Sequence, residues 1–309
     1  MATVLITGGT GMIGTALTGA LLERNYSVII LTRGKTKINN ELQSSKVRYA
    51  SWDIEKQTID KEAIASTDFI IHLAGTGVGD KRWTTKRKKQ IVDSRVKSCE
   101  LLVKAIREYP NSIKAVVSAS AIGWYGPDAV IPNPSPFTEE AAAANDFLGQ
   151  TCKQWEESIA PVTQSGKRLV RLRTGIVLSK KGGVLDEFKK PLNFGIATIL
   201  GDGKQMMSWI HIDDLVRLYI AAIENERMNG SYNAVAPSPI TNKELVLQLA
   251  KSRGGFYIPV PIPSFVLKII LGEMSIEVLK SATVSAQKIL QTGFIFSYPS
   301  IATALKSLV

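Results

Sequence analysis

Runs of β-branched and other apolar residues alternate with helix-spaced stretches through the first half of the chain. Residues 2–7, 27–32, 47–52, 69–73, 113–118 and 169–173 each read as a buried strand ending near Gly, Ser or Asp. Behind the first of them, Ile13, Leu17, Ala20 and Leu21 recur at helical spacing. Such alternation predicts βαβ units and a parallel sheet. The first strand-turn-helix-strand unit takes about 30 residues, the usual length for a right-handed crossover. Ligands of such sheets collect at the carboxyl ends of the strands.

From Ile176 the pattern changes. A Gly182-Gly183 break, a basic helical piece and a proline-rich hinge from Pro259 to Pro263 mark a second lobe. Residues 289–305 are bounded by turns rather than disordered. The expected division is a first domain over 1–175, with 206–235 returning to it, and a smaller lobe over 176–205 and 236–309.

The turn after the first strand reads Thr7-Gly8-Gly9-Thr10-Gly11-Met12-Ile13-Gly14. Glycines at 8, 11 and 14 allow a tight turn, close approach of a pyrophosphate, and packing of the next helix on the sheet. The helix N-terminus supplies free N–H groups to the anion. Between a strand and a helix, this spacing indicates a dinucleotide site at Gly8, Thr10, Gly11, Met12, Ile13 and Gly14. The fold class that follows is α/β, a Rossmann-like doubly wound parallel sheet with helices on both faces and a smaller C-terminal α/β lobe.

The residue after the second strand discriminates between nicotinamide nucleotides, because an acid there binds the ribose 2′-hydroxyl and repels a 2′-phosphate. This chain has Thr32-Arg33-Gly34-Lys35 there, with Lys37 close behind. A guanidinium suits the extra phosphate, so NADP(H) is preferred over NAD(H).

Composition narrows the remaining choices. The 309 residues, 45% hydrophobic, can bury a full core. No apolar run has the length of a membrane span, and the N-terminus enters the first strand directly, so a cytoplasmic protein without a membrane partner is expected. Two cysteines, Cys99 and Cys152, and two histidines make neither a disulfide framework nor a zinc pattern; no metal is expected. A net charge of +11 suits an anionic partner: nucleic acid, a membrane surface, or a phosphorylated cofactor and substrate. The basic residues are spread along the chain without an RNA or zinc-finger motif, which favours the small molecule.

Several segments together resemble the extended short-chain dehydrogenase/reductase superfamily, nearly end to end. Trp52-Asp53-Ile54 is similar to its adenine-side Asp, and His72-Leu73-Ala74-Gly75 to the turn beneath the nucleotide. Arg173-Thr174-Gly175-Ile176-Val177 resembles the strand leading to the substrate lobe. Gly201-Asp202-Gly203 with Trp209-Ile210-His211-Ile212-Asp213-Asp214 resembles a late signature of sugar-nucleotide epimerases and dehydratases. Lys81-Arg82-Trp83, Asp93-Ser94-Arg95-Val96, Ser208-Trp209-Ile210-His211 and Leu271-Gly272-Glu273-Met274 are similar to one branch, the NAD-dependent epimerase/dehydratase family proteins with a C-terminal domain of unknown function. That resemblance implies NADP(H) binding and an unassigned substrate, with Thr32, Arg33, Leu73, Ala74, Gln90, Arg95 and Val177 lining the cofactor. Analogy with the fold offers a homodimer through two long helices of the first domain.

Hydride chemistry in the superfamily rests on a Tyr-x-x-x-Lys helix, whose ammonium lowers the phenol pKa. The corresponding stretch, Phe147-Leu148-Gly149-Gln150-Thr151-Cys152-Lys153-Gln154-Trp155-Glu156, puts Leu148 and Cys152 in those places. Ser120, Tyr125 and Cys152 remain as candidate catalytic groups. His211 precedes a turn in which Asp213 is expected to cap the next helix. The basic cluster Lys81, Arg82, Lys86, Arg87, Lys88 and Lys89 is expected just ahead of a helix beginning near Gln90. There Lys81 and Arg82 would receive a substrate phosphate, and Trp83 would cover an apolar part of the ligand. Two readings follow: an NADP(H)-dependent oxidoreductase or nucleotide-sugar epimerase-like enzyme, or a catalytically silent NADP(H)-sensing protein.

Overall fold

A computed structural model describes residues 1–34 and 44–309, so Lys35 and Lys37 lie outside the described residues. The first half alternates as the pattern requires: β1 (Thr3–Thr7), α1 (Met12–Glu23), β2 (Ser27–Thr32), β3 (Val47–Asp53), β4 (Thr58–Ile59), α2 (Lys61–Ala65), β5 (Phe69–His72), α3 (Thr85–Glu108), β6 (Ala115–Ala121), α4 (Phe147–Ile159) and β7 (Arg168–Thr174). Then come β8 (Ile176–Leu178), α5 (Val184–Leu192), β9 (Ile196–Leu200), β10 (Met206–Met207), β11 (Trp209–His211), α6 (Ile212–Glu224) and β12 (Gly230–Ala234). The chain closes with β13 (Ile240–Thr241), α7 (Asn242–Arg253), β14 (Ile258–Ile262), α8 (Ser264–Leu271), α9 (Ser275–Leu279), α10 (Gln287–Gln291) and α11 (Ile301–Leu308).

The main sheet runs β12-β7-β6-β5-β1-β2-β3-β4, parallel throughout except where β4 turns back on β3. From β1 the chain builds outward through β2 to β3, then returns to place β5 on the other side of β1. That reversal opens a crevice at the carboxyl ends of β1 and β5.

Strand alternation sorts the core into two layers. Val4 and Ile6 of β1 pack with α1 and α6 through Leu17, Leu21, Leu215 and Leu218. Leu5, one residue out of phase, joins the other face with Leu102 and Ile106 of α3 and Trp155 of α4. Both faces are dry, which is why the strands read as continuous apolar runs.

The stretch Pro259 to Pro263 is not a hinge. Ile258–Ile262 forms β14, parallel to β9. In a parallel pair alternate residues bond one neighbour: Ile258 N donates to Gly195 O (2.8 Å) and Ile262 O accepts from Gly201 N (2.9 Å). Pro259 and Pro261 fall on the outward-facing positions, where no N–H is needed. A third apolar cluster joins α5, β9, α7 and α11 beneath this pair, through Phe188, Ala197, Leu249 and Leu305.

Candidate functional site

The glycine turn is sterically determined. Gly8 has φ +69°, and a Cβ there would lie 3.0 Å from the Leu73 carbonyl group and 3.1 Å from Ala74 N. A Cβ on Gly14 would collide with Gly8 O and sit 2.5 Å from Gly9 Cα. The Gly8–Gly9 turn is therefore packed between the backbone after β5 and the first turn of α1 with no room for side chains. Gly11 caps α1 without a side-chain hydrogen bond, and no acid occupies the first turn. The amides of Met12, Ile13 and Gly14 have no partner within the helix, so a positive helix end faces the crevice.

Thr7 and His72 fix the opposite wall. Thr7 Oγ1 accepts the amides of Leu73 and Ala74, each at 3.1 Å, and lies 2.7 Å from His72 Nδ1. Its own proton is therefore directed to Nδ1. On the far side Ser98 Oγ donates to Arg95 O (2.9 Å) and accepts from His72 Nε2 (3.2 Å). Burial, with help from the Arg95 charge, lowers the His72 pKa to about 3. His72 is thus a neutral imidazole carrying its proton on Nε2.

Arg95 is a buried cation beside this wall. Its NH1 donates to Thr76 O (3.0 Å) and Ile91 O (2.9 Å), its guanidinium lies 4.8 Å from the Trp155 ring, and a Cβ on Gly75 would meet its Cζ at 3.2 Å. No carboxylate pairs with it among the described residues, and burial lowers its pKa. Gln90 is exposed on the same helix. Gly183, following Val177 of β8, reaches Met12: a Cβ there would be 3.7 Å from the Met12 Cε.

At the end of β2, Thr32 Oγ1 donates to Gly34 O (3.0 Å) and Arg33 is exposed. At the end of β3, Asp53 Oδ1 accepts the amides of Glu55 (3.0 Å) and Lys56 (2.9 Å), a turn that also holds Ile54. The glycine loop, Leu73, Ala74, Gly75, Arg95 and Val177 thus gather around the β1/β5 crevice. Thr32, Arg33, Asp53 and Ile54 extend the row over the neighbouring strand ends.

The three candidate catalytic groups are internal. Ser120, 3% exposed, donates to Glu156 Oε1 at 2.7 Å. Glu156 is clamped by Arg173 through Nε (2.8 Å) and NH2 (3.0 Å), and Ser231 Oγ donates to its Oε2 (3.2 Å). Tyr125 is fully buried and does not offer its phenol to an open pocket. Its hydroxyl donates to Asn233 Oδ1 (2.6 Å) and accepts from Arg173 NH1 (3.1 Å), and burial pushes its pKa up to about 12. Cys152 is buried on α4 with Sγ 3.6 Å from Ala121 O, and desolvation raises its thiol to about 12. A neutral, buried thiol is a poor nucleophile.

Glu156 and Arg173, the centre of this network, carry no role in the sequence reading. Their signal was a charge where the pattern calls for apolar residues: Glu156 on the buried face of α4, Arg173 inside a core strand.

The basic cluster also sits differently from expectation. Thr84 caps α3 by accepting from Arg87 N (3.1 Å), so the helix starts at Thr85 and Lys86 to Lys89 lie inside it. Arg87 pairs with Asp80 (3.3 Å), Lys88 with Glu273 (2.7 Å) and Lys89 with Asp93 (2.6 Å). Trp83 is buried, edge-on to Phe147 at 4.9 Å, with Nε1 donating to Val78 O (3.0 Å). Lys81 and Arg82 are exposed. Arg82 reaches the small lobe, its NH2 standing 3.0 Å from where a Gly272 Cβ would be.

His211, not Asp213, caps α6. Its Nδ1 accepts from Asp213 N (3.1 Å) and Nε2 meets Ser307 Oγ (3.0 Å), with the ring stacked on Tyr298 at 3.7 Å. The imidazole reaches the orphan amide two residues on, which leaves Asp213 as a first-turn acid. Among the described residues no group of three or more His, Cys, Asp or Glu is arranged to hold a metal ion.

Residues 4–153 and 182–235 match the NAD dependent epimerase/dehydratase family, and residues 262–308 match a domain of unknown function, DUF1731. Epimerase family protein SAR0825 of Staphylococcus aureus (strain MRSA252) is 34% identical over 306 residues, covering 99% of this chain and 98% of the relative. Epimerase family protein ML0860 of Mycobacterium leprae (strain TN) is 32% identical over 307 residues, covering 98% and 94%. Human epimerase family protein SDR39U1 (isoform 2), crystallised with NADPH, superimposes with a TM-score of 0.86 at 29% identity, covering 99% of this chain and 98% of that one.

Proposed function

We propose, from the premise that the chain belongs to the NAD-dependent epimerase/dehydratase family, that it binds NADP(H) and acts as an oxidoreductase or epimerase. Its substrate is a small phosphorylated molecule or nucleotide sugar. The observation that carries this reading is the glycine cradle: a Cβ on Gly14 would strike the backbone of Gly8 and Gly9. A surface turn has no need of such close approach; a pyrophosphate over bare helix amides does.

The fit extends along the crevice. Thr10, Gly11, Met12 and Ile13 take the pyrophosphate, Leu73, Ala74 and Gly75 form the floor, and Asp53 and Ile54 meet the adenine side. Gln90, Arg95 and Val177 line the remainder. When bound, the nicotinamide gives or takes a hydride. Arg33, exposed and without an acid beside it on β2, receives the 2′-phosphate. The human relative's structure with NADPH supports that choice over NAD(H). In this reading residues 1–175 and 206–235 hold the cofactor. Residues 176–205 and 236–309 form the substrate side, with exposed Lys81 and Arg82 at the rim to attract the substrate phosphate.

One observation favours a second reading. Ser120, Tyr125 and Cys152 are all buried, and each is already engaged. None is free to pass a proton, so turnover draws on water or on the substrate's own groups; otherwise the protein senses NADP(H) without chemistry. Calorimetric titration with NADPH, followed by absorbance with panels of carbonyl compounds and nucleotide sugars, separates the two. Loss of NADPH or epimer formation supports the enzyme, tight binding without change supports the sensor, and absence of binding to folded protein removes both.

A further inference from the structure

Phe194 and Phe256 are each 84% exposed, and the backbone sets their loops side by side. Ile258 N bonds Gly195 O at 2.8 Å, and Ile196 and Ile258 are register partners at the start of β9 and β14. Both isoleucines are exposed as well, Ile258 by 53%. Two rings left in water above an exposed isoleucine pair form a contiguous apolar tip, and such tips mark contact surfaces.

Cations lie close in sequence to this tip. Lys190 and Lys251 are exposed, Lys190 pairing with Glu187 at 2.6 Å. Arg253 donates to Asn193 Oδ1 (2.9 Å) and Lys189 O (3.3 Å), which ties the end of α7 to the loop carrying Phe194. Strand addition on the outer side of β14 is blocked, because Pro259 and Pro261 have no N–H to offer there. Rings that project from loop tips among cations suit a surface that is apolar inside and negative outside.

We propose that this tip of the small lobe docks on an anionic bilayer surface, inserting Phe194 and Phe256 among the headgroups while Lys190, Lys251 and Arg253 meet lipid phosphates. The net charge of +11 steers the approach. Among the described residues no helix is long and apolar enough to cross a membrane, so the contact is peripheral. It accounts for charge that the cofactor site does not use.

The test is sedimentation of the full chain with vesicles of phosphatidylcholine plus phosphatidylglycerol, against phosphatidylcholine alone. Binding is expected on the anionic vesicles only, weakening as salt rises. Phe194→Ser with Phe256→Ser lowers partitioning by about tenfold or more, and Lys190→Gln with Lys251→Gln lowers it severalfold. Both double variants keep the wild-type unfolding midpoint, because the altered side chains are exposed. No binding, equal binding to neutral vesicles, or full binding by the ring-less variant overturns the proposal. So does a concentration-dependent dimer that the ring-less variant abolishes, since the tip's occupant would then be a second copy of the chain.

Discussion

Thr7 Oγ1 serves three partners at once, accepting the amides of Leu73 and Ala74 while donating to Nδ1 of His72 at 2.7 Å. One hydroxyl thus sets the backbone of the crevice floor and the tautomer of the imidazole behind it. Thr7→Val keeps the shape and removes the oxygen, leaving the buried Ala74 amide short of an acceptor while Leu73 N keeps the Thr7 carbonyl at 3.1 Å. Urea unfolding should show a loss of about 1–3 kcal/mol, and calorimetry a weaker affinity for NADPH. Unchanged values for both would mean that the floor is held by other bonds.

The same imidazole makes stability depend on pH. Its folded pKa is lowered from 6.5 to about 3, so below the unfolded value the unfolded chain binds a proton that the folded chain refuses. Stability from this group is present above the unfolded pKa and is lost as pH falls toward the folded one. The slope is about 1.4 kcal/mol per pH unit. Urea unfolding between about pH 6 and pH 4 should therefore show a gradient that His72→Gln flattens by about one proton. An identical gradient in the variant would assign it to carboxylates instead.

Two glycines on α1 provide a matched pair. A Cβ on Gly14 meets backbone that cannot swing aside, whereas one on Gly19 finds nothing within 4 Å. Gly14→Ala should destabilise the fold by about 1–3 kcal/mol and reduce NADPH affinity at least about tenfold, the equivalent of 1.4 kcal/mol. Gly19→Ala should stabilise by about 0.5–1 kcal/mol through helix propensity alone and leave binding intact. Equal effects at the two positions would contradict the cradle.

What the sequence reveals here depends on the range of the interaction. The βαβ order and the glycine turn are legible because β1, its turn and α1 are contiguous, so spacing alone carries the geometry. The β14 strand was masked by its prolines, which read as a break until β9 shows which edge each residue faces. Trp124-Tyr125-Gly126 leaves open whether Tyr125 offers its phenol to the pocket or packs on the sheet, because the groups that enclose it, Arg173 and Asn233, come from β7 and β12. Ser120 is bound in the same way by Glu156, 36 residues on. Partners at that separation leave no periodic trace, only an out-of-place charge in an apolar face.

Glu156 and Arg173 form a bidentate pair buried to 3% and 4% side-chain exposure. Removing one partner deprives the other of its bidentate contact, leaving Glu156 only the longer pair with Arg171 at 3.7 Å, so Glu156→Gln or Arg173→Met should each cost about 3–5 kcal/mol. Ser120→Ala, which removes one of several donors to the carboxylate, should cost only about 0.5–1.5 kcal/mol. In the double variant the losses should fall well short of additive, because the second change relieves a charge already unpaired. Strict additivity in denaturant titrations would mean that the pair does not act as a unit.

The proposed cofactor preference rests on Arg33, and its exposure at the end of β2 makes the test clean, since replacing it disturbs no packing. A charge-assisted hydrogen bond to a phosphate contributes about 1.5–3 kcal/mol, so Arg33→Glu, which also adds repulsion, should weaken NADPH binding by about tenfold to a hundredfold or more. NADH has no 2′-phosphate at that point, and its affinity should stay level or rise as the new carboxylate meets the ribose hydroxyl. Calorimetric titration of both nucleotides against both proteins gives the ratio directly. Parallel losses would locate the phosphate contact elsewhere, and no loss at all would leave Arg33 a solvated loop cation.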